Sequence, residues 1–174
     1  MIIFLFIVAI VSFFTIMPYE FIKYKVIRFK RIPEIHEKPT LIKTNQYNLI
    51  LEYIEQSNDE HKIANDFLYK IVDYGDETAI FKVKNEGMKT ELDGIYLTPF
   101  KYKINEFLYL QKVRSDKSGE PTSDLIKFNT ISGKIESNSE IGPFELDNYD
   151  EKESKIFGYN LTKNITIEFK KASA

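Results

Sequence analysis

Histidine and acidic side chains in the first half of the chain are candidates for metal binding or catalysis. Asp59, Glu60 and His61 are consecutive and Asp66 follows, a grouping of oxygen and nitrogen donors that can ligate a divalent cation. The other histidine, His36, lies among acids between two prolines. The absence of cysteine excludes a cysteine-based zinc site, and the presence of only two histidines disfavours both a catalytic triad and a histidine-rich metal site. We predict a solvated helix start for the first group and an exposed linker position for His36.

The densest acidic stretch covers residues 145–153, with the sequence ELDNYDEKE. Its candidate oxygen ligands for Ca²⁺ are Asp147, Asp150, Glu151 and Glu153, but their spacing departs from the calcium-loop pattern and the central glycine is missing. We predict a charged, solvated loop without a metal. Because exposed acids steer a partner of opposite charge, the four residues are a candidate docking surface for a basic partner.

Aromatic residues form a second candidate surface. The chain has 14 phenylalanines, 11 tyrosines and no tryptophan. Tyr96, Phe100, Tyr102 and Tyr109 fall on two neighbouring predicted strands, where aromatic pairs usually stabilise a sheet. The alternative is an aromatic face that binds a partner, since such residues dominate the energetics of protein interfaces.

Motifs of common enzymes are missing from this sequence. It contains no phosphate loop, G-x-G-x-x-G, G-x-S-x-G or H-E-x-x-H. A pair of carboxylates could still perform acid–base chemistry, but nothing in the sequence selects such a pair. We therefore expect neither catalysis nor a cofactor.

The amino-terminal segment predicts a membrane anchor. Residues 1–17 contain no charged side chain, and residues 1–22, with only Glu20 charged, are long enough to span a bilayer as a helix. A cleaved signal sequence needs a preceding basic region and a small-residue cleavage site, which this segment lacks. A cleaved signal and a buried core helix remain the alternatives.

Charge is distributed unevenly after the anchor. Residues 19–43 carry a net charge of +4 and residues 44–174 a net charge of −6. Since cationic residues near a span are retained in the cytoplasm and favour anionic lipid, we predict membrane-surface contact and a cytoplasmic domain; a periplasmic or extracellular domain is the alternative. The acidic domain disfavours nucleic acid. The contact residues are Lys23, Lys25, Arg28, Lys30 and Arg31.

Periodicity predicts the elements that position these residues. After a basic segment and linker at residues 23–43, two helices are expected: one with Tyr47, Ile50, Leu51 and Ile54 on one face, and one with an apolar stripe from Ile63 to Val72. From Thr78 onward, period-two runs and turns predict six or seven antiparallel strands, including hairpins at residues 125–137 and 155–170. The expected fold class is α+β: a transmembrane helix, then a domain at residues 44–174 with two helices on a meander sheet.

The sequence thus predicts a single-pass membrane protein whose acidic α+β domain binds a macromolecular partner without catalysis. An inhibitor or immunity-type protein and an accessory subunit of a membrane complex both fit its size and anchor. A small-ligand or lipid-binding domain is the alternative, followed by an enzyme with a carboxylate site.

Replacing Ile7 and Ala9 with arginine tests the anchor. Each charge at the centre of a span costs about 2.5–3.5 kcal/mol of insertion free energy, so we expect the double variant to leave the membrane fraction or be degraded. Fractionation followed by immunoblotting measures this. Wild-type protein recovered in the soluble fraction would contradict the anchor.

Overall fold

The structure, a computed structural model, describes residues 39–54, 59–71 and 79–168. The predicted anchor at residues 1–22, the five cations of residues 23–31 and His36 lie outside these described residues. No helix within the described ranges is long and apolar enough to cross a membrane.

Ten strands and one short α-helix make up the described chain. They are β1 (Thr40–Lys43), β2 (Tyr47–Tyr53), α1 (Lys62–Ile71, after a 3-10 turn at Asp59–His61), β3 (Phe81–Gly87), β4 (Tyr96–Ile104), β5 (Phe107–Ser115), β6 (Pro121–Asn129), β7 (Lys134–Glu140), β8 (Glu145–Asp150), β9 (Lys155–Tyr159) and β10 (Asn164–Glu168). Strands β1 to β7 form one antiparallel sheet in chain order, and β8 to β10 form a second.

The predicted α+β class with two helices on six or seven strands is therefore wrong. The described chain is mainly antiparallel sheet, with seven strands in one sheet, three in another and a single short helix. The helix predicted around Tyr47 is strand β2, which pairs along its whole length with β3. Tyr47, Leu49 and Leu51 also alternate, and all three are buried on one face, so the period-two pattern prevails over the helical one.

Helix α1 agrees with the prediction for the second helix. Its buried residues are Ala64, Phe67, Leu68 and Ile71, which belong to the predicted apolar stripe, whereas Ile63 is exposed. The helix packs on Val113 of β5. It covers one part of the larger sheet.

The larger sheet curls so that distant strands meet. Strands β2 and β6 are four positions apart, which in a flat sheet is about 19 Å. The rings of Tyr47 and Phe128 nevertheless lie 6.5 Å apart, edge to face, and the Tyr47 hydroxyl donates to the Thr130 carbonyl. The concave side encloses the main apolar core, which the β3–β4 loop plugs with the fully buried Leu92.

The smaller sheet packs on the opposite face of the larger one. Leu146 of β8 and Ile156 of β9 are buried with Phe100 of β4. Within the smaller sheet, Gly158 of β9 permits the close approach of β8, since a Cβ there would lie 2.7 Å from the Glu145 carbonyl oxygen. The second sheet therefore needs a residue without a side chain at this position.

Gln111 joins the two sheets. This residue of β5 is fully buried, and its carbonyl oxygen accepts hydrogen bonds from the Thr98 hydroxyl and the Leu146 amide, both at 2.9 Å. Its amide group donates to the Ser123 hydroxyl at 2.8 Å and to the Phe144 carbonyl. One side chain thus uses its full hydrogen-bonding capacity to connect β4, β5 and β6 with the start of β8.

Substituting Gln111 with leucine should destabilise the fold. The change removes the partner of the buried Leu146 N–H and leaves the Phe144 carbonyl only the longer contact of 3.3 Å with the Ser123 hydroxyl. We expect the free energy of unfolding to fall by about 2–4 kcal/mol. Urea denaturation followed by circular dichroism measures it. The matched control is Asn138→Leu on the exposed part of β7, expected to change stability by about 0.5 kcal/mol or less. Equal stability of the two variants would contradict the role of Gln111.

Candidate functional site

The acidic stretch is only partly the loop that the sequence predicts. Residues 145–150 form strand β8, in which Glu145 and Leu146 are buried. A register shift between Leu146 and Asn148 breaks the alternation of the strand, which is why the sequence pattern misses it. We call residues 147–153, which carry the four candidate acids, the acidic turn.

Asp150 fixes the backbone of the acidic turn. Its Oδ1 accepts the backbone N–H groups of Lys152 at 2.8 Å and Glu153 at 3.1 Å. Ser154, which follows, has a φ of 53°, in the left-handed region. The local sequence therefore sets a defined turn between β8 and β9, because an aspartate caps neighbouring N–H groups and the chain reverses at a residue with positive φ.

Tyr102 connects the acidic turn to the larger sheet. Its hydroxyl donates to Glu151 Oε1 at 2.6 Å, and its ring centroid lies 4.1 Å from that of Tyr149. The hydrogen bond to the Glu151 carboxylate, followed by desolvation and the negative charge of Glu151, raises the pKa of Tyr102 to about 12. The sequence places these residues in two separate candidate surfaces, and the fold brings them together.

The other acids of the turn differ in their partners. Glu153 Oε2 accepts a hydrogen bond from Lys155 Nζ at 2.8 Å, and this contact raises the pKa of Lys155. Asp147 is exposed, and its carboxylate has no cationic partner among the described residues. The turn as a whole keeps an excess of negative charge, with Lys152 as its only cation.

A cleft of about 380 Å³ lies at the acidic turn. Two aromatic residues and two acids contribute to its wall, and the residues lining it are Asn148, Tyr149, Asp150, Glu151, Lys152 and Phe157. Asn148, Tyr149 and Phe157 were not candidates from sequence. An aromatic surface beside carboxylates suits a cationic group, because both the ring faces and the carboxylates attract positive charge.

The remaining aromatic candidates lie elsewhere. Phe100 is buried between the sheets, and Tyr96 packs against the helical cluster, where its hydroxyl lies 3.1 Å from His61 Nδ1. Tyr109 is half-buried opposite Tyr102, and burial raises its pKa. The docking role of these residues stays a prediction.

Within the described ranges, no group of three or more histidine, aspartate or glutamate side chains is placed to hold a metal ion. His61 and Asp66, which the sequence groups together, have separate partners: Tyr96 contacts His61, and Lys62 forms an ion pair with Asp66.

Comparison of the chain with protein-family models, with curated proteins and with solved structures found no match.

Replacing Glu151 with glutamine tests the link between Tyr102 and the acidic turn. Removing the negative charge should return the pKa of Tyr102 from about 12 towards its ordinary 10.0. In the wild type, the stability contributed by this raised pKa is complete below pH 10.0 and lost as the pH rises to about 12.

NMR titration of ring-labelled tyrosine measures this change, with Tyr102→Phe identifying the resonance. Tyr109 is the internal control, because its raised pKa comes first from burial and should not respond to Glu151. An unchanged pKa of Tyr102 in the Glu151→Gln variant would show that the hydrogen bond does not form in solution.

Proposed function

We propose that this domain is a non-catalytic binding module that docks a basic macromolecular partner, a protein, through the acidic turn. The observation that supports the proposal most is the way Asp150 and Glu151 are held: Asp150 caps the turn, and Tyr102 ties Glu151 to the larger sheet. Carboxylates on a fixed backbone lose little conformational freedom on binding, so the site is preorganised.

The negative charge of the domain also favours a basic protein partner. Residues 44–174 carry a net charge of −6, and two acids of the turn, Asp150 and Glu151, line the cleft together with the rings of Tyr149 and Phe157. Such a surface attracts lysine- and arginine-rich proteins and repels the phosphate backbone of nucleic acids. A protein partner is therefore favoured over DNA or RNA.

The location belongs to the proposal as well. Residues 1–22 would hold the domain at a membrane, with Lys23, Lys25, Arg28, Lys30 and Arg31 on anionic lipid and the domain in the cytoplasm. An accessory subunit of a membrane complex, or an inhibitor or immunity-type protein held where its target acts, fits this arrangement. A periplasmic or extracellular domain is the alternative location.

The cleft favours one alternative function, binding of a small cationic ligand. The cleft is open to solvent, and its wall combines aromatic rings with carboxylates, which suits a small cationic group held at the surface. A protein partner remains the main proposal because Asp147 and Glu153, whose charges favour docking, do not line the cleft.

Neutralising the acidic turn tests the proposed function. The quadruple variant Asp147→Asn, Asp150→Asn, Glu151→Gln and Glu153→Gln retains side-chain oxygens that can accept the present hydrogen bonds, so the fold should persist. With the partner captured from solubilised membranes by the wild-type chain, we expect its association rate to fall about tenfold or more, and the wild-type rate to decrease with salt. Surface plasmon resonance measures both.

A control variant has the same change in charge at four exposed glutamates outside the acidic turn: Glu86, Glu91, Glu120 and Glu136, each replaced by glutamine. It should bind almost as fast as the wild type. Equal association rates of the two quadruple variants would exclude the acidic turn as the docking site. A captured small cation, with no protein partner, would favour the alternative function.

A further inference from the structure

The two sheets of the described chain end in four edge strands: β1 and β7 for the larger sheet, β8 and β10 for the smaller. Exposed edges offer unpaired main-chain groups to other strands, and proteins usually protect them with bulges, charges or short length. Three of the four edge strands pair with their neighbour across a register shift. The shift lies between Thr40 and Ile42 in β1, beside Phe128 where β6 pairs with β7, and between Leu146 and Asn148 in β8.

Strand β10 is the exception among these edges. It pairs with β9 without a register shift, from Asn164 opposite Tyr159 to Glu168 opposite Lys155. Asn164, Thr166 and Glu168 are exposed, and Ile165 and Ile167 are half-buried against the core between the sheets. This edge is short, at five residues, but it is regular, and a single charged side chain leaves the rest of it open to pairing.

The hydrogen-bond pattern of the β9–β10 hairpin shows which groups of β10 face outward. The Asn160 N–H donates to the Lys163 carbonyl at 3.0 Å, next to the pair Tyr159 and Asn164. Since hydrogen-bonded and non-hydrogen-bonded pairs alternate in an antiparallel ladder, Ile165 and Ile167 bond to β9. The main-chain groups of Asn164, Thr166 and Glu168 point away from the sheet.

We propose that β10 pairs antiparallel with β10 of a second copy of this chain, with Thr166 on the two-fold axis. The sequence of β10, NITIE, reads almost the same in both directions. In this register Thr166 faces its equivalent, Ile165 faces Ile167 of the second copy, and Asn164 faces Glu168 of the second copy. All three outward-facing residues then exchange main-chain hydrogen bonds.

The side chains of β10 favour pairing with β10 of a second copy over pairing with an unrelated strand. The two-fold arrangement places isoleucine beside isoleucine on the inner face and threonine beside threonine on the outer face, both favourable cross-strand pairs. The carboxylate of Glu168 meets the side-chain amide of Asn164, so no like charges are opposed. The contact is self-complementary, as a closed dimer requires, and it extends the three-stranded sheet across both copies.

Cysteine cross-linking of the full chain in detergent micelles tests the register. The chain contains no cysteine, so an introduced thiol is the only one. Thr166→Cys places two thiols opposite each other at a hydrogen-bonded pair, where the Cβ atoms are about 5.5 Å apart and a short bismaleimide bridges them better than a disulfide. We expect this cross-linker to convert most of the variant to a covalent dimer, whereas the control Ser139→Cys, exposed on the β7 edge, stays mostly monomeric. Equal cross-linking of the two variants would overturn the proposal.

Charge at the same position provides an independent test. Thr166→Lys and Thr166→Glu each oppose two like charges across the axis, so each should weaken the dimer about tenfold or more. Mixing the two variants should restore association as a heterodimer, because the opposed charges then attract.

Sedimentation velocity over a range of chain concentrations measures this association, and circular dichroism checks that the variants fold. A wild type that stays monomeric at every concentration would overturn the proposal. So would dimers of unchanged strength in both charge variants, since the interface would then lie elsewhere.

Discussion

The hydrogen bonds of Gln111 are the interaction on which the arrangement of this domain depends. A buried amide with unsatisfied groups would cost more than it contributes, so the site is stable only when strands β4, β5, β6 and the start of β8 are all in place. This requirement couples the smaller sheet to the larger one. The position of the acidic turn, at the far end of β8, follows from that coupling and from Tyr102.

The two faces of the larger sheet pack against different elements. The concave face encloses the main core, and the β3–β4 loop closes it. Within this loop burial alone would raise the pKa of Asp93, but hydrogen bonds from Thr90 and Asn85 and the nearby charge of Lys89 outweigh burial and lower that pKa. The other face carries helix α1 on one part and the smaller sheet on the other. The hydrogen bonds of Gln111 therefore lie between the apolar cluster under helix α1 and the apolar cluster under the smaller sheet, where they fix how the strands pack.

Local signals account for what the sequence predicts correctly. The β9–β10 hairpin and helix α1 are short-range patterns, and both occur within the described residues. The segment of β2 predicts a helix because Tyr47, Leu51 and Ile54 recur at helical spacing. Tyr47, Leu49 and Leu51 also alternate as in a strand, and only pairing with β3 decides between the two periods. The Gln111 connection spans up to 35 residues and the pair of Tyr102 and Glu151 spans 49, so neither leaves a local pattern. The candidate acids were visible from charge, but their proximity to Tyr102 was not.

Native-state hydrogen exchange, read for individual amides by NMR, tests the coupling of the two sheets most directly. If Gln111 makes them one cooperative unit, the Leu146 amide and the paired amides of β8 and β9 will exchange with the same opening free energy as those of β5 and β6. Exchange of the smaller sheet through a separate opening of much lower free energy, while β5 and β6 stay protected, would contradict the account.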